Sequence, residues 1–153
     1  MGNNRLGKSL DKDYMKKKVL VLCTGNSIRS QMAEGFLKKY RKNWNIESAG
    51  TFPIGLNPLA AEVMAESGID ISKNLSKSVS QFTSSNFDLV ITVCDNARRS
   101  CPVFPGDAMT RYIHWSFEDP SVAAGSYEKR LDSFRKTRDL IDEKIKEFLR
   151  NYK

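Results

Sequence analysis

The chain has no hydrophobic run long enough to cross a membrane and no apolar leader near its N-terminus. A transmembrane helix needs about 18 or more apolar residues in succession, and a secretory signal needs an apolar core of about 7–15 residues. Cysteine is scarce: three occur among 153 residues, so they cannot all pair within one chain. Because sparse thiols suit a reducing compartment better than a disulfide scaffold, we expect a cytoplasmic protein without a membrane segment.

The sequence also lacks internal repeats and long low-complexity linkers. Its composition, 40% hydrophobic and 28% charged, suits a soluble globular domain. The net charge is +7, but residues 1–18 hold six basic and two acidic side chains and so account for +4 of it. We therefore predict a flexible basic extension at residues 1–15 and a single domain at residues 16–153. No basic stripe interleaved with aromatic residues is visible, so nucleic-acid binding is not expected.

Strand-like and helix-like segments alternate along the rest of the chain, which is typical of a parallel α/β sheet. Apolar runs predict strands, whereas capping residues and three-four apolar spacing predict helices. The predicted strands are Val19–Cys23, Trp44–Ala49, Leu89–Val93 and Arg111–His114, and the predicted helices are Ser30–Tyr40, Pro58–Ser67 and a long one from Tyr127. Because ligands bind beyond the carboxyl ends of parallel strands, we expect Cys23, Cys94 and the loop after His114 to meet.

The most informative segment is Val21–Ser30, in which a buried strand leads through a tight loop into a helix. Gly25 and Asn26 are expected to supply left-handed backbone angles that let successive N–H groups converge. The N-terminus of the following helix points its unpaired N–H groups at the same place. Cys23 is then a thiolate nucleophile, and Arg29 can grip two oxygens of a tetrahedral oxyanion. A cysteine alone would suggest a small buried hydrophobe, but the spacing to the arginine favours catalysis.

This loop resembles the Cys-x5-Arg anion loop of the low-molecular-weight phosphotyrosine phosphatases and of the arsenate reductases that share their fold. The longer string Cys23–Gly35 is most similar to the thioredoxin-coupled arsenate reductases. The similarity continues through Glu47–Gly50, Asn57–Pro58, Gly68–Ser72, the Cys94 and Cys101 pair and Asp119–Pro120. It implies an α/β fold with a four-stranded parallel open sheet, strand order 2-1-3-4, flanked by helices on both faces.

The resemblance also implies a three-cysteine relay that reduces arsenate to arsenite. Cys23 attacks arsenate held by Arg29 and the loop N–H groups, and Asp119 donates a proton to the departing oxygen. Cys94 then attacks the Cys23 sulfur, and Cys101 attacks Cys94 to give a disulfide that thioredoxin would reduce. The implied oxyanion-binding residues are Thr24, Gly25, Asn26, Ser27, Ile28 and Arg29. Because thiols supply the electrons, no metal, flavin or nicotinamide cofactor is required.

The segment between the second and third thiols bears on this relay. Asp95–Ser100 is polar and precedes Pro102. If the segment were helical, the Cα atoms of Cys94 and Cys101 would lie about 10 Å apart, whereas a disulfide needs about 4.4–6.8 Å. We therefore expect disulfide formation to unwind it. Alternatively, Cys94 and Cys101 could be two unrelated structural thiols. The presence of a third thiol in the anion loop, Cys23, favours the relay.

Other residues are expected to support the loop. Asn26 can hold its strained backbone, and the hydroxyl of Ser30 can donate to the Cys23 sulfur. Many members have a further cysteine where Ile28 stands, but the relay does not need it. His114, the single histidine, lies in an apolar-aromatic stretch and is interpreted as structural.

Some reductases of this kind bind potassium beside the loop. Asn26, Glu34 and Ser48 match three of the residues that hold the ion. Leu75 and Lys77 occupy the other two positions, and an ammonium at Lys77 would repel a cation and could itself neutralise Glu34. We therefore predict no bound metal and little effect of added potassium.

The sequence is consistent with three functions. Arsenate reductase accounts for all three cysteines, and we favour it, with arsenate as substrate, phosphate or sulfate as competing anions, and a monomeric chain. A low-molecular-weight phosphotyrosine phosphatase would use only Cys23, Arg29 and Asp119. The segment Ser121–Gly125 lacks the tyrosines that usually wall the phosphatase pocket, although Tyr127 could partly substitute, and residual phosphatase activity would be unsurprising. A non-catalytic oxyanion-binding or thiol-sensor protein would need the loop but not Asp119.

Overall fold

A four-stranded parallel sheet forms the centre of the computed structural model, which describes residues 16–102, 104 and 107–152. The strands are β1 (Lys18–Cys23), β2 (Asn45–Gly50), β3 (Leu89–Thr92) and β4 (Arg111–His114). Their order is β2-β1-β3-β4, and every neighbouring pair is parallel. The predicted fold class and strand order are confirmed. The predicted extension at residues 1–15 lies outside the described residues.

The two central strands of the sheet, β1 and β3, are apolar and buried. Residues Val19–Leu22 of β1 and Leu89–Ile91 of β3 are 0% exposed. Such continuous apolar runs are expected for parallel strands that are covered on both faces. Leu22 pairs with Thr92, and Thr92 pairs with His114, so the carboxyl ends of these strands lie at one edge of the sheet.

In the described part of the chain, four α-helices flank the sheet, and two of them begin at side-chain caps that the sequence predicts. The helices are α1 (Arg29–Tyr40), α2 (Pro58–Glu66), α3 (Asp95–Ser100) and α4 (Tyr127–Asn151), with short 3-10 helices at Val79–Phe82, Asp107–Met109 and Pro120–Val122. The side chain of Asn57 accepts from the N–H of Leu59 at the start of α2, and that of Ser126 accepts from the N–H of Lys129 at the start of α4. Gly68, at φ 76°, follows the end of α2. These contacts support the predicted helix boundaries.

The long helix α4 packs its apolar face on the core. Its buried residues are Leu131, Phe134, Thr137, Ile141, Ile145 and Leu149. An ion-pair network then joins α4 to α2, because Arg135 and Arg138 both bond the carboxylate of Glu66, each at 2.7 Å. Among the described residues, no helix is both long enough and apolar enough to span a membrane.

Candidate active site

The loop between β1 and α1 has one unusual backbone angle. Asn26 has φ 46° and is the only non-glycine residue with a positive φ in the described part of the chain. Gly25 is not in this region, so the expectation that it supplies a left-handed angle is wrong. Its small size matters instead, because a Cβ there would lie 2.9 Å from the side chain of Ile54. Gly50 at the end of β2 is closer still, since its Cβ would lie 2.5 Å from the carbonyl oxygen of Thr24.

Cys23 is buried at the end of β1, and hydrogen-bond donors converge on its sulfur. Its Sγ accepts from the backbone N–H of Asn26 at 3.1 Å and lies 2.9 Å from the hydroxyl of Ser30. That hydroxyl already accepts from Asn26 Nδ2 at 2.9 Å, so its single proton is available for the sulfur. The N–H of Asn26 and the hydroxyl of Ser30 are thus placed to stabilise a negative charge on the Cys23 sulfur.

Asn26 is completely buried and ties the loop to its neighbours. Its Nδ2 donates to Ser48 Oγ at 2.9 Å, and its Oδ1 accepts from the backbone N–H of Lys77 at 2.8 Å. The backbone carbonyl oxygen of Asn26 accepts two further hydrogen bonds, from Gln31 Nε2 at 3.2 Å and from Ser76 Oγ at 2.6 Å. The sequence did not indicate a role for either residue. A glutamine on the buried face of α1 is the sequence signal that could have indicated this role, because buried polar groups are normally hydrogen-bonded.

Arg29 is oriented by residues that follow β4. Its Nη1 donates to the carbonyl oxygen of Phe117 at 3.0 Å, and its Nη2 lies 3.9 Å from Asp119 Oδ2. The cavity between them has a volume of about 210 Å³ and is lined by Cys23, Ser27, Ile28, Arg29, Ile54, Asn57, Asp119 and Ser121. The predicted nucleophile, arginine and acid therefore line one cavity.

Asp119 has two contacts that leave part of its carboxylate facing the cavity. Oδ1 accepts from the backbone N–H of Ser121 at 2.9 Å and from its hydroxyl at 2.7 Å, and so caps the 3-10 helix at Pro120–Val122. The other oxygen, Oδ2, points toward Arg29. The residue therefore has a structural contact and a position suited to proton transfer.

The second thiol lies beside the same loop. Cys94 is buried and precedes α3, and its Sγ accepts from the N–H of Ala97 at 3.4 Å. Thr24 Oγ1 lies 3.3 Å from that sulfur. Asn96 Nδ2 donates to Thr24 Oγ1 at 3.2 Å. The sequence predicts only oxyanion binding for Thr24 and indicates no role for Asn96, because contacts between residues 70 or more positions apart have no local pattern.

The third thiol is more accessible than the other two. Cys101 follows α3 and is partly exposed, and its Sγ donates to the carbonyl oxygen of Pro102 at 3.5 Å. None of the three cysteines is in a disulfide. Because Asp95–Ser100 is helical, we expect that a bond between Cys94 and Cys101 would require α3 to unwind, since a disulfide needs Cα atoms about 4.4–6.8 Å apart.

Comparison with known proteins identifies the family to which this site belongs. Residues 18–153 match the family described as low molecular weight phosphotyrosine protein phosphatase. The chain belongs to this family. Its loop from Cys23 to Arg29 and its Asp119 thus lie within the matched region.

Similar curated proteins within this family are arsenate reductases. The chain is 46% identical over 134 residues to the arsenate reductase of Bacillus licheniformis, an alignment that covers 87% of this chain and 95% of the relative. It is 43% identical over 136 residues to that of Bacillus subtilis, which covers 88% and 96%. The resemblance to arsenate reductases of this fold is therefore confirmed.

Solved structures agree with this assignment. An arsenate reductase in the phosphate binding state superposes with a TM-score of 0.72 at 30% identity, covering 90% of this chain and 99% of that chain. A tyrosine phosphatase of Erwinia amylovora gives a TM-score of 0.73 at 17% identity and covers 87% and 91%. The second likeness concerns the fold alone.

His114 connects the sheet to the start of α3. Its Nδ1 lies 2.8 Å from Thr92 Oγ1, and its Nε2 lies 2.9 Å from Asp95 Oδ1. Asp95 is the residue directly after Cys94. The histidine therefore anchors the first turn of the segment that joins the second and third thiols.

The residues considered for a potassium site have other partners in the structure. Lys77 Nζ bonds Glu47, so the expectation that it neutralises Glu34 is wrong. Lys38 does so instead, with Nζ 3.0 Å from Glu34 Oε2, because the two residues are one helical turn apart. Glu34 Oε1 is buried and has no hydrogen-bond partner among the described residues. In the same part of the chain, no group of three or more His, Cys, Asp or Glu could hold a metal ion.

Proposed function

We propose that this protein reduces arsenate to arsenite with Cys23, Cys94 and Cys101 as a thiol relay. The observation that carries the proposal is the contact between Thr24 of the oxyanion loop and the Cys94 sulfur, at 3.3 Å. A phosphatase needs one thiol at the oxyanion loop, and here a second buried thiol adjoins it. The arsenate reductases that are 46% and 43% identical to this chain support the same function.

The first step uses the loop, the arginine and the acid. The loop N–H groups and the guanidinium of Arg29 hold the arsenate oxygens, and Cys23 Sγ attacks arsenic. Asp119, when protonated, transfers its proton to the oxygen that leaves as water. The product is a covalent bond between Cys23 Sγ and arsenic(V). Since Arg29 already bonds Phe117, the guanidinium is oriented before the anion arrives.

The second step transfers two electrons. Cys94 thiolate attacks Cys23 Sγ, the sulfur–arsenic bond breaks, and its electron pair stays on arsenic, which leaves as arsenite. A disulfide between Cys23 and Cys94 has formed at this point. Cys101 thiolate then attacks Cys94 and releases Cys23 as a thiolate. Two thiols are oxidised for each arsenate reduced, and Ser30 and Asn26 stabilise Cys23 when it leaves.

We further propose that thioredoxin reduces the disulfide between Cys94 and Cys101 and that the protein acts as a cytoplasmic monomer. Cys101 is the more accessible of these two thiols. An external dithiol can therefore approach the disulfide from the side of Cys101 once α3 has unwound. Phosphate and sulfate are expected to compete with arsenate, because they share its tetrahedral shape and negative charge.

A single-turnover experiment tests the reaction. Fully reduced protein is mixed with arsenate without added reductant, arsenite is quantified, and disulfides are mapped by mass spectrometry. We expect about one arsenite per chain, by the balance of the two steps above, and a bond between Cys94 and Cys101. No arsenite and three remaining thiols would instead indicate a phosphatase or an anion-binding protein.

The Cys94→Ser variant separates reductase from phosphatase chemistry. Hydrolysis of an aryl phosphate needs only Cys23, Arg29 and Asp119, and should survive the substitution. Multiple-turnover arsenate reduction needs the second thiol and should stop. If arsenate reduction continued at the wild-type rate in Cys94→Ser, the relay would be wrong. Cys101→Ser should still release one arsenite but retain the disulfide between Cys23 and Cys94.

A further inference from the structure

The hydroxyl of Thr24 has two neighbours with different hydrogen-bonding abilities. Asn96 Nδ2 lies 3.2 Å from Thr24 Oγ1, and Cys94 Sγ lies 3.3 Å from the same oxygen. An amide nitrogen only donates, whereas a hydroxyl has one proton and can accept through its lone pairs. Asn96 fills one acceptor site of Thr24 Oγ1. A thiolate at Cys94 can only accept, so the hydroxyl proton of Thr24 then points to the Cys94 sulfur.

We propose that Asn96 is a positioning residue that acts on Cys94 through Thr24. By fixing the direction of the Thr24 hydroxyl, it makes that hydroxyl a donor to the sulfur that attacks Cys23. The inference rests on the proposed reductase function, in which Cys94 is the second nucleophile. Together with the N–H of Ala97, at 3.4 Å, the Thr24 hydroxyl stabilises negative charge on the attacking sulfur.

The position of Asn96 makes this assistance depend on the redox state. Asn96 lies in α3, and α3 must unwind before Cys94 can bond Cys101. Its amide therefore contacts Thr24 only while α3 is helical. The hydroxyl is directed at Cys94 when the thiol must attack, and it is released once the disulfide has formed. The side chain of Asn96 is exposed, so a substitution there leaves the apolar core intact.

The reactivity of Cys94 alone tests this role. In the Cys23→Ser, Cys101→Ser background, Cys94 is the only thiol, and its rate of alkylation by iodoacetamide is measured against pH. Asn96→Asp places a group that accepts from Thr24 where the donor was, and so reverses the direction of the hydroxyl. We expect alkylation at neutral pH to slow by about 2- to 12-fold, as for the loss of one hydrogen bond, and the midpoint of the pH profile to rise.

A double-mutant cycle separates action through Thr24 from a general effect on α3. Asn96→Ala should slow alkylation when Thr24 is present and have no effect in the Thr24→Val background, in which the hydroxyl is missing. Ser100→Ala, on the same helix without a bond to Thr24, is the matched control and should alkylate at the parent rate. Equal slowing by Asn96→Ala in both backgrounds, or no slowing in either, would overturn the proposal.

The same proteins distinguish this inference from the proposed function. Alkylation of Cys94 requires no arsenate, so its result does not depend on whether the chain is a reductase. The single-turnover arsenite yield of the wild type tests the reductase function. If arsenite forms and Asn96→Ala leaves both Cys94 alkylation and the rate of arsenite release unchanged, Asn96 has no positioning role while the reductase function stands.

Discussion

Arg29 and Asp119 both line the active-site cavity, and Nη2 of the arginine lies 3.9 Å from Oδ2 of the aspartate. The separation exceeds that of a direct hydrogen bond, and the guanidinium is held at 3.0 Å by the carbonyl oxygen of Phe117. An oxyanion that enters the loop therefore meets an oriented arginine, with a carboxyl group beside it. This arrangement places the carboxyl where the proposed proton transfer needs it.

Asp119→Asn is expected to slow arsenate reduction by about 10²- to 10⁴-fold, the usual contribution of a positioned general acid. The amide keeps an oxygen that can cap Ser121, as Oδ1 does now, but it cannot donate the acid proton. The rate of arsenite release in a single turnover measures the effect. Bound phosphate should still protect Cys23 from alkylation almost as well as in the wild type, because the loop and Arg29 are intact.

Glu118→Gln is the control, since it removes the neighbouring exposed carboxylate without touching the cavity. It should retain the wild-type rate. An unchanged rate in Asp119→Asn would show that the acid is dispensable and would favour the anion-binding or thiol-sensor alternative.

Gly50→Ala is expected to disrupt the oxyanion loop. The added Cβ would lie 2.5 Å from the carbonyl oxygen of Thr24 and 2.8 Å from the backbone nitrogen of Asn26, so backbone rather than a flexible side chain must move. We expect a lower melting temperature and a loss of phosphate protection of Cys23, measured by thermal unfolding and by alkylation.

Gly35→Ala is the matched case, because its Cβ would meet the terminal methyl group of Met64 at 2.9 Å, which can shift. It lies within α1, where alanine is preferred over glycine. The variant should keep phosphate protection. Equal loss of protection in Gly35→Ala and Gly50→Ala would show that the close approach at Gly50 has no special role.

Local sequence patterns account for most of the fold. Each predicted strand boundary lies within one residue of the observed one, because the apolar runs of β1 and β3 coincide with the buried positions of the sheet. Asn57 and Gly68 likewise mark the ends of α2. Strand order is a property of long-range pairing and was available only through the family resemblance.

The candidate site was predictable in its residues but less so in its contacts. Cys23 and Arg29 share one loop, so their spacing alone indicates an oxyanion site. The bond from Thr24 to Cys94 joins segments 70 residues apart and depends on the register of β1 and β3. The partner of Glu34 was misassigned because Lys38, one helical turn away, competes with the more distant Lys77. Short sequence separation favours the former.

Added potassium is expected to have little effect on activity or melting temperature, compared with sodium at equal ionic strength. The reason is that Lys38 Nζ lies 3.0 Å from Glu34 Oε2 and already supplies the positive charge. Lys38→Met should remove that charge and leave the buried carboxylate unneutralised, so any potassium effect should appear in this variant. Lys39→Met, on the exposed side of the same helix, is the control. A marked stabilisation of the wild type by potassium would contradict the prediction.

The last prediction concerns the ion-pair network that joins α2 to α4. Hydrogen bonds from Arg135, and to a lesser extent from Arg138, lower the pKa of Glu66 to about 2. A carboxylate whose pKa is depressed on folding stabilises the folded state at pH values above its unfolded pKa, which is 4.5. The stabilisation is then lost as the pH falls through the folded pKa. Because 36% of the Glu66 side chain is exposed, solvent screening keeps the contribution small.

Glu66→Gln should therefore lower the melting temperature by about 2–4 °C or less near neutral pH, which corresponds to about 1 kcal/mol or less for a chain of this size. The difference from the wild type should shrink as the pH is lowered from about 5 toward 2, since the wild-type carboxylate is then protonated and loses its attraction to the arginines. Glu143→Gln, an exposed glutamate on α4, should show no such pH-dependent difference. A difference that stays constant, or grows, as the pH falls would mean that packing of the Glu66 side chain, rather than its charge, joins α2 to α4.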